Sequence, residues 1–262
     1  MKYLNILHQT VNKIAEIKLN RPNVLNSFNF QMADEVLHAL EKCNSDQNIR
    51  AIILSGAGRA FCAGQDLEEA TKSDGPTINE IINHTYNPLV KKIKSVNKPV
   101  ICFVNGIAAG AGANLAICCD VTFAAKSAKF IQSFINIGLV PDTGGTYYLP
   151  RIIGRQKAIG LMFSGEKISS EDAEKIGMIY KSVEDKNGYE IAYNFAKKLS
   201  LMPTKSMGLI KNLVNQSFEN NLAEQLDLEK KLQTIAASTK DYKEGVNAFL
   251  EKRNPNYVGE WL

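Results

Sequence analysis

Three glycine-rich turns constrain the fold of this chain more than any other feature of its sequence. Each comes after a short apolar run with the length of a buried strand. Glycine lets the backbone turn, or approach another backbone, where a Cβ would clash. The alternation of apolar runs, turns and helical patterns predicts an α/β architecture. The three turns span residues 61–67, 105–114 and 138–146.

The third turn presents a single carboxylate. Asp142 follows Pro141, and Thr143 separates it from the pair Gly144 and Gly145. Proline fixes φ, so the acid is presented from a defined turn. A turn that leads into a helix also exposes free backbone N–H groups. The sequence therefore indicates a site made of one acid and several backbone donors. An aspartate that only caps a helix is the alternative.

Local patterns assign several strands and helix caps. Asn29 or Ser27 is expected to cap the helix after the first strand, and residues 169–172 carry a second capping signature. From residue 188 to 251 helical periodicity dominates, which predicts a helical layer in the last third of the chain. Strands are predicted at 14–19, 51–54, 99–104 and 121–124.

Composition and charge exclude several classes of protein. The chain has 262 residues and a net charge of +4, from 31 basic and 27 acidic residues spread along it. No Lys/Arg run is long enough to predict nucleic-acid binding. The apolar run 107–119 is too short to span a bilayer, and the N-terminus lacks the apolar segment of a secretion signal. We therefore expect no nucleic-acid partner and no membrane association.

Cysteine and histidine usage predicts the compartment. The five cysteines are an odd number with two of them adjacent, and three histidines are available for a metal site. No Cys-x-x-Cys motif is present. These counts predict a reducing cytoplasm, no disulfide and no metal.

Taken together, the motifs resemble the crotonase, or enoyl-CoA hydratase/isomerase, superfamily over essentially the whole chain. The resemblance implies a spiral of ββα turns in residues 1–187 and a C-terminal helical trimerisation region in residues 188–262. It implies an acyl-CoA substrate, no further cofactor, and assembly as a trimer or a dimer of trimers. Four segments are most similar to the isomerase branch that acts on a ring epoxide in phenylacetate breakdown. The family motifs lie at 19–22, 61–67, 98–100, 105–116, 119–120 and 141–145, and the branch segments at 86–90, 128–130, 225–229 and 244–250.

The resemblance also implies which residues form the site. The amides of Gln65 and Ala111 match the oxyanion hole that stabilises a thioester enolate. Asp142 matches the acid of members that move a double bond. Phe249 and Lys252 match positions that reach the coenzyme A of a neighbouring subunit. The residues expected to lie against coenzyme A in the same chain are Asn23, Val24, Asn26, Ala63, Asp66 and Leu67.

Two departures from the family pattern decide the expected chemistry. Hydratases of the family use two glutamates to orient and deprotonate water, and the matching positions here hold Asn114 and Phe134. One carboxylate suffices for a proton shuttle, because the base of the first step is the acid of the second. Phe134 is expected to keep water away, and apolar surroundings to raise the pKa of Asp142. We therefore expect an acyl-CoA isomerase that shifts a double bond or assists the rearrangement of a ring epoxide.

Several alternatives are compatible with the sequence. An enoyl-CoA hydratase is the alternative among enzymes, and a non-catalytic member that binds acyl-CoA or RNA is the alternative outside them. Asp66 is expected to cap the helix that follows it, with only its backbone against the ligand. Tyr86 either lines the acyl pocket or lies in the core.

Overall fold

The computed structural model describes residues 2–261, in which strands alternate with helices. The strands are β1 (Ile6–Val11), β2 (Ile14–Leu19), β3 (Ala51–Gly56), β4 (Ala60–Cys62), β5 (Val100–Val104), β6 (Ile107–Ala109), β7 (Val121–Ala125), β8 (Lys129–Ile131), β9 (Lys167–Ser169) and β10 (Lys181–Val183).

The helices include short and long elements. In chain order they are α1 (Phe30–Ser45), α2 (Leu67–Ala70), α3 (Ile78–Ile81), α4 (Asn87–Ser95), α5 (Ala111–Cys118), α6 (Gly145–Ile153), α7 (Arg155–Ser164), α8 (Ser170–Lys175), α9 (Gly188–Ser200), α10 (Thr204–Gln216), α11 (Leu222–Ala237) and α12 (Lys240–Leu250). Two 3₁₀ helices (Pro22–Val24 and Ser133–Ile137) and a π-helical turn (Ile82–Tyr86) lie between them. Within residues 2–261, every helix falls short of the length and apolarity that a bilayer-spanning segment needs.

The strands of residues 2–261 form one six-stranded and one four-stranded sheet. The larger sheet has the order β1-β2-β3-β5-β7-β10, and all neighbours except β1 and β2 are parallel. The smaller sheet has the order β4-β6-β8-β9. The chain adds one strand to each sheet and then a helix, as in β5, β6 and α5, and repeats this step. The predicted spiral of ββα turns is confirmed.

The core lies on both sides of the larger sheet. Every residue of β3 and β5 is buried, which is typical of parallel strands covered on both faces. Helix α9 packs on this sheet through the pairs Phe103–Tyr189 and Phe123–Phe195, whose ring centroids are 5.6 and 5.3 Å apart. The helical last third is confirmed, and the boundary after residue 187 stays a prediction.

The predicted caps of α1 and α8 are confirmed. Asn29, rather than Ser27, caps α1, because its side chain accepts a hydrogen bond from the N–H of Met32 at 2.9 Å. Ser169 caps α8 in the same way and accepts from the N–H of Asp172 at 3.1 Å. In both cases a side-chain oxygen replaces an acceptor that the first helical turn lacks.

The sequence patterns miss β1 and the smaller sheet. Most residues of β1 are at least partly exposed, so its sequence carries no strong alternation. The strands of the smaller sheet are only three residues long. Periodicity cannot identify such short elements, and pairing with distant segments defines them instead.

A buried arginine holds the C-terminal segment on the core. The guanidinium of Arg50 donates to the hydroxyl of Thr204 at 2.8 Å and to the carbonyls of Met202 and Tyr257, both at 2.7 Å. The carboxylate of Asp241 accepts from backbone N–H groups of the same segment. Residues after α12 therefore belong to the folded unit.

We expect Glu35→Ala to lower the free energy of unfolding by ~2–4 kcal/mol, because hydrogen bonds to a buried charged group are strong and their loss leaves donors unsatisfied. The buried Glu35 carboxylate accepts from the N–H groups of Leu4, Asn5 and Ile6 at 3.0, 2.7 and 3.1 Å. Urea denaturation measures the change. The matched control is Glu41→Ala in the same helix, which removes only an exposed ion pair and should cost less than ~1 kcal/mol. Equal losses in both variants would contradict the anchoring role.

Candidate active site

The N–H group of Gln65 is directed away from Phe28, the residue that pairs with it. Phe28 N–H donates to the Gly64 carbonyl, and Asp66 N–H donates to the Phe28 carbonyl, both at 2.8 Å. The N–H and C=O of one trans peptide point in opposite directions. Because the Gly64 carbonyl points at Phe28, the Gln65 N–H points away from it.

The first turn of α5 offers a second N–H group. Gly110 precedes the helix with φ 53° and ψ −124°, a conformation that glycine adopts without steric cost. Ala111 is the first residue of α5, and N–H groups in the first turn of a helix have no helical acceptor. The positive end of the helix dipole lies at the same place.

These two amides lie in turns that touch each other. A Cβ built on Gly64 would lie 3.1 Å from the carbonyl oxygen of Ala109 and 3.6 Å from the nitrogen of Ala111. Gly64 has φ 98°, so both the conformation and the close approach require glycine. Two N–H groups in adjacent turns suit a single oxyanion. The oxyanion role that the resemblance implies for Gln65 and Ala111 stays a prediction.

Asp142 lies in a tight turn in front of α6. Thr143 and Gly144 both have left-handed backbone angles, φ 53° and 72°. The Thr143 hydroxyl donates to Oδ1 of Asp142 at 2.7 Å. Burial raises the pKa of Asp142 above its ordinary value of 3.8, and the Thr143 hydroxyl partly opposes this effect. The carboxyl group therefore exchanges a proton more readily near neutral pH than an exposed aspartate does.

Helix α5 joins the Asp142 turn to the amide of Ala111. The side chain of Asn114 donates to the Asp142 carbonyl at 2.9 Å, and the N–H of Gly145 donates to the same carbonyl at 2.9 Å. Residues 111 and 114 are about 4.5 Å apart along the helix axis. One helical turn thus carries both the Ala111 N–H group and the Asn114 side chain that bonds the Asp142 carbonyl.

Two aromatic side chains lie beside these turns. Phe134 is buried, and its ring would lie 3.7 Å from a Cβ on Gly110, beside the start of α5. Tyr86 lies in the core, and its hydroxyl donates to Oε1 of Gln65 at 2.9 Å. Burial raises the pKa of Tyr86 most, and the negative charge of Asp142 adds to this effect. Of the two interpretations of Tyr86, the structure supports a position in the core, with the hydroxyl directed at the Gln65 side chain.

One residue that supports the site has no signal in the sequence. Gln132 is buried and donates from Nε2 to Oδ1 of Asn114 at 2.9 Å. It lies outside the motifs, because its role depends on α5 and the segment after β8 meeting in space.

The structure brings both predicted coenzyme segments together. The N–H of Ala63 donates to the Leu25 carbonyl at 3.0 Å, which joins the turn after Pro22–Val24 to the start of the 61–67 turn. Val24 and Leu67 are exposed, as is Asn23. Contact of these residues with coenzyme A stays a prediction.

Two of the predicted coenzyme residues use their side chains inside the protein. The buried Asn26 amide donates to the carbonyls of Ala57 and Ala60 at 2.9 and 2.8 Å. Asp66 caps α2, as expected, and forms an ion pair with Arg21 at 2.7 Å. Asn26 is 0% exposed, and its backbone N–H donates to the Arg21 carbonyl at 2.9 Å. The contacts of Asn26 and Asp66 shown by the structure are therefore internal, and their contact with coenzyme A stays a prediction.

Phe249 and Lys252 lie at the end of α12, apart from these turns. The Phe249 side chain is 83% exposed and borders a groove of about 440 Å³ between α10, α11 and α12. Lys252 is also exposed and has φ 55°. Within one chain, the structure does not group them with Asn23 or Ala63, and their predicted role involves a neighbouring subunit.

The cysteines near the site are unsuited to nucleophilic catalysis. Cys62 in β4 is fully buried, and burial raises its pKa to about 12. It therefore stays a neutral thiol near pH 7. Within residues 2–261, no cluster of three or more histidine, cysteine or acidic side chains has the arrangement of a metal site.

Comparison with known proteins identifies the family of this chain. A family model described as enoyl-CoA hydratase/isomerase matches residues 9–260. The chain is 44% identical over 258 residues to the 1,2-epoxyphenylacetyl-CoA isomerase of Escherichia coli (strain K12), covering 97% of this chain and 98% of the relative. It is 40% identical over 259 residues to a Rhodobacter capsulatus protein that bears an enoyl-CoA hydratase name, covering 99% and 100%.

A solved structure shows the same fold. The crystal structure of an enoyl-CoA hydratase from Bacillus anthracis superposes with a TM-score of 0.91 at 32% identity, covering 98% of this chain and 100% of that chain. The expected resemblance and the ββα spiral are both confirmed. The chain belongs to the enoyl-CoA hydratase/isomerase family, the crotonase superfamily.

Proposed function

We propose that the protein is an acyl-CoA isomerase in which Asp142 moves a proton along the acyl chain. The observation that carries this proposal is the half-buried Asp142, with its raised pKa, anchored to the same helix that presents the Ala111 amide. Asn114 and Phe134 stand where hydratases of the family hold glutamates, and neither side chain can accept a proton as a base.

In this mechanism the thioester carbonyl lies against the N–H groups of Gln65 and Ala111. These donors stabilise the enolate oxygen as negative charge develops on it, and losing one donor typically costs ~3 kcal/mol in barrier. Asp142 takes a proton from C2 of a 3-enoyl thioester, and the C–H electron pair enters the dienolate. The same carboxyl group returns the proton to C4, so the double bond ends between C2 and C3.

The same parts suit the rearrangement of a ring epoxide on an arylacetyl thioester. The Escherichia coli relative is named as an isomerase of 1,2-epoxyphenylacetyl-CoA, and it shares 44% identity with this chain. Such a substrate also carries acidic hydrogens at C2 next to a thioester carbonyl. Phenylacetate catabolism is therefore the pathway we propose, beside fatty-acid metabolism.

Coenzyme A enters this proposal as part of the substrate. Its body would lie beside Ala63 and Asp66 and against the exposed residues Asn23, Val24 and Leu67. The reaction moves one proton and leaves no net oxidation, so the mechanism calls for no further cofactor.

An enoyl-CoA hydratase is the second candidate, favoured by the name of the Rhodobacter capsulatus relative at 40% identity. Hydration needs a group that orients and deprotonates water. The Asn114 amide is already engaged by Asp142 and Gln132, and the Phe134 ring is apolar. These contacts favour the isomerase.

We also propose that the chain self-associates as a trimer or a dimer of trimers through its C-terminal helices. Large apolar side chains on these helices face solvent in the single chain, and groups of this kind are typical of subunit interfaces. They include Leu222, Leu226, Val246, Phe249 and Leu250.

We expect purified protein to convert a cis-3-enoyl-CoA to its 2-enoyl isomer much faster than it hydrates crotonyl-CoA. Asp142→Asn should lower the isomerisation rate by ~10²–10⁴-fold, since the amide cannot exchange a proton in this way. Absorbance of the conjugated thioester measures both reactions. Asp227→Asn on the exposed face of α11 is the control and should keep the parent rate. Hydration as fast as isomerisation, or an active Asp142→Asn variant, would refute the proposal.

Asp142→Asn should be more stable than the parent at pH 7. The folded-state pKa of Asp142 is raised by burial, so the folded protein holds this proton to a higher pH than the unfolded chain does. Stability therefore falls as pH rises from the ordinary value of 3.8 through the folded-state pKa. Urea denaturation of both proteins from pH 7 downward should show the difference shrinking. A difference that does not change with pH argues against this burial effect.

Phe249→Ser should reduce the assembled mass if the C-terminal helices form the interface, because it replaces a large apolar contact by a polar one. Light scattering after gel filtration measures the mass. Phe163→Ser on α7 is the matched control, since Phe163 is 74% exposed and lies outside the C-terminal helices. An unchanged mass for Phe249→Ser, or equal loss in the control, would contradict this assignment.

A further inference from the structure

Both polar atoms of the Asn114 side chain are hydrogen-bonded beside Asp142. Asn114 is 0% exposed and lies in the first turns of α5. The carbonyl of Asp142 can only accept a hydrogen bond, so the Asn114 atom 2.9 Å from it is the donor Nδ2. Oδ1 of Asn114 is thereby left to accept from Nε2 of Gln132 at 2.9 Å. The two bonds fix the rotation of the Asn114 amide.

Steric contact holds the same arrangement from the other side. A Cβ on Gly145 would lie 2.2 Å from Nδ2 of Asn114, so the backbone of α6 is in direct contact with this amide. Glycine at 145 is therefore required for the Asp142 turn to approach α5. The hydrogen bond from Asn114 and the close approach at Gly145 both constrain the turn of residues 142–145.

We propose that Asn114, held by Gln132, is a positioning residue that sets where the Asp142 carboxyl group stands relative to the oxyanion donors. This inference rests on the proposed function of Asp142. Position 114 matches a glutamate of the hydratases. Here the amide at this position acts on Asp142 through a hydrogen bond to the Asp142 backbone carbonyl. Because Ala111 and Asn114 share one helical turn, the donor and the acid are set by one rigid element.

This role has consequences for rate and for pH dependence. A displacement of about 1 Å at a reacting group can cost ~10²-fold in rate. The raised pKa of Asp142 comes chiefly from burial, and the Thr143 hydroxyl partly opposes this effect. Tyr86, in the π-helical turn, has its pKa raised chiefly by burial and further by nearby charges that include Asp142. If the turn moves towards solvent, the pKa of Asp142 falls towards its ordinary value.

The test measures kcat, KM and the pH dependence of kcat for isomerisation of a cis-3-enoyl-CoA. Asn114→Ala should lower kcat by ~10–100-fold, with little change in KM. The acidic limb of its kcat profile should shift to lower pH. Gln132→Leu should lower kcat less, and should add little to Asn114→Ala in the double variant, because both act through one amide.

Thr122→Val is the matched control. The Thr122 hydroxyl donates to the Ala116 carbonyl at 2.7 Å at the other end of α5, so this variant also loses a buried hydrogen bond. It should lose stability and keep the parent kcat and pH profile.

If Asn114→Ala matches Thr122→Val in kcat and pH profile while Asp142→Asn is inactive, the positioning role is wrong and the proposed function stands. If Asp142→Asn is active, both are wrong. Should Asn114→Ala not fold, Gln132→Leu alone decides. A lowered kcat with a shifted acidic limb supports the role, and parent behaviour overturns it.

Discussion

The site depends on the contact between the first turns of α5 and the turn that carries Asp142. Asn114 donates to the Asp142 carbonyl at 2.9 Å, and Gly145 allows the two backbones to approach. The same helix begins at Ala111, whose amide is free because the first turn of a helix lacks acceptors. One short, buried helix therefore fixes the positions of both the Ala111 N–H group and the turn that carries Asp142. A shift of α5 would change both at once.

This arrangement places an acid where ionisation is unfavourable. Burial raises the pKa of Asp142, so the ionised form costs folding free energy at neutral pH. The surrounding structure holds the turn in spite of this cost, through Asn114, Gly145 and the left-handed Thr143. A less constrained turn would let the carboxylate move to water and return to its ordinary pKa. Rigidity of the turn and proton affinity of the acid thus have the same origin.

Local signals predicted more of the fold than non-local ones. The sequence predicts a cap at Asn29 or Ser27 and another within residues 169–172, because capping needs only a side-chain oxygen and the next helical turn. The structure then selects Asn29 and Ser169. The buried strands β3 and β5 were identified by their continuous apolar runs. The smaller sheet was not predicted from the sequence, because its three-residue strands are defined only by pairing with distant segments. The role of Gln132 was not predicted for the same reason, since its partner Asn114 is 18 residues away in sequence.

The sequence by itself determined the α/β class, the family, and the presence of one acid beside glycine-rich turns. These features are local, because glycine and proline restrict the backbone wherever they occur. Only the tertiary structure decided which groups meet. In the folded chain the side chains of Asn26 and Asp66 form bonds within the protein. The Tyr86 hydroxyl donates to the Gln65 side chain, and the Asn114 amide donates to the Asp142 carbonyl. Such contacts join segments far apart in the chain, and their geometry follows from how the sheets and helices pack.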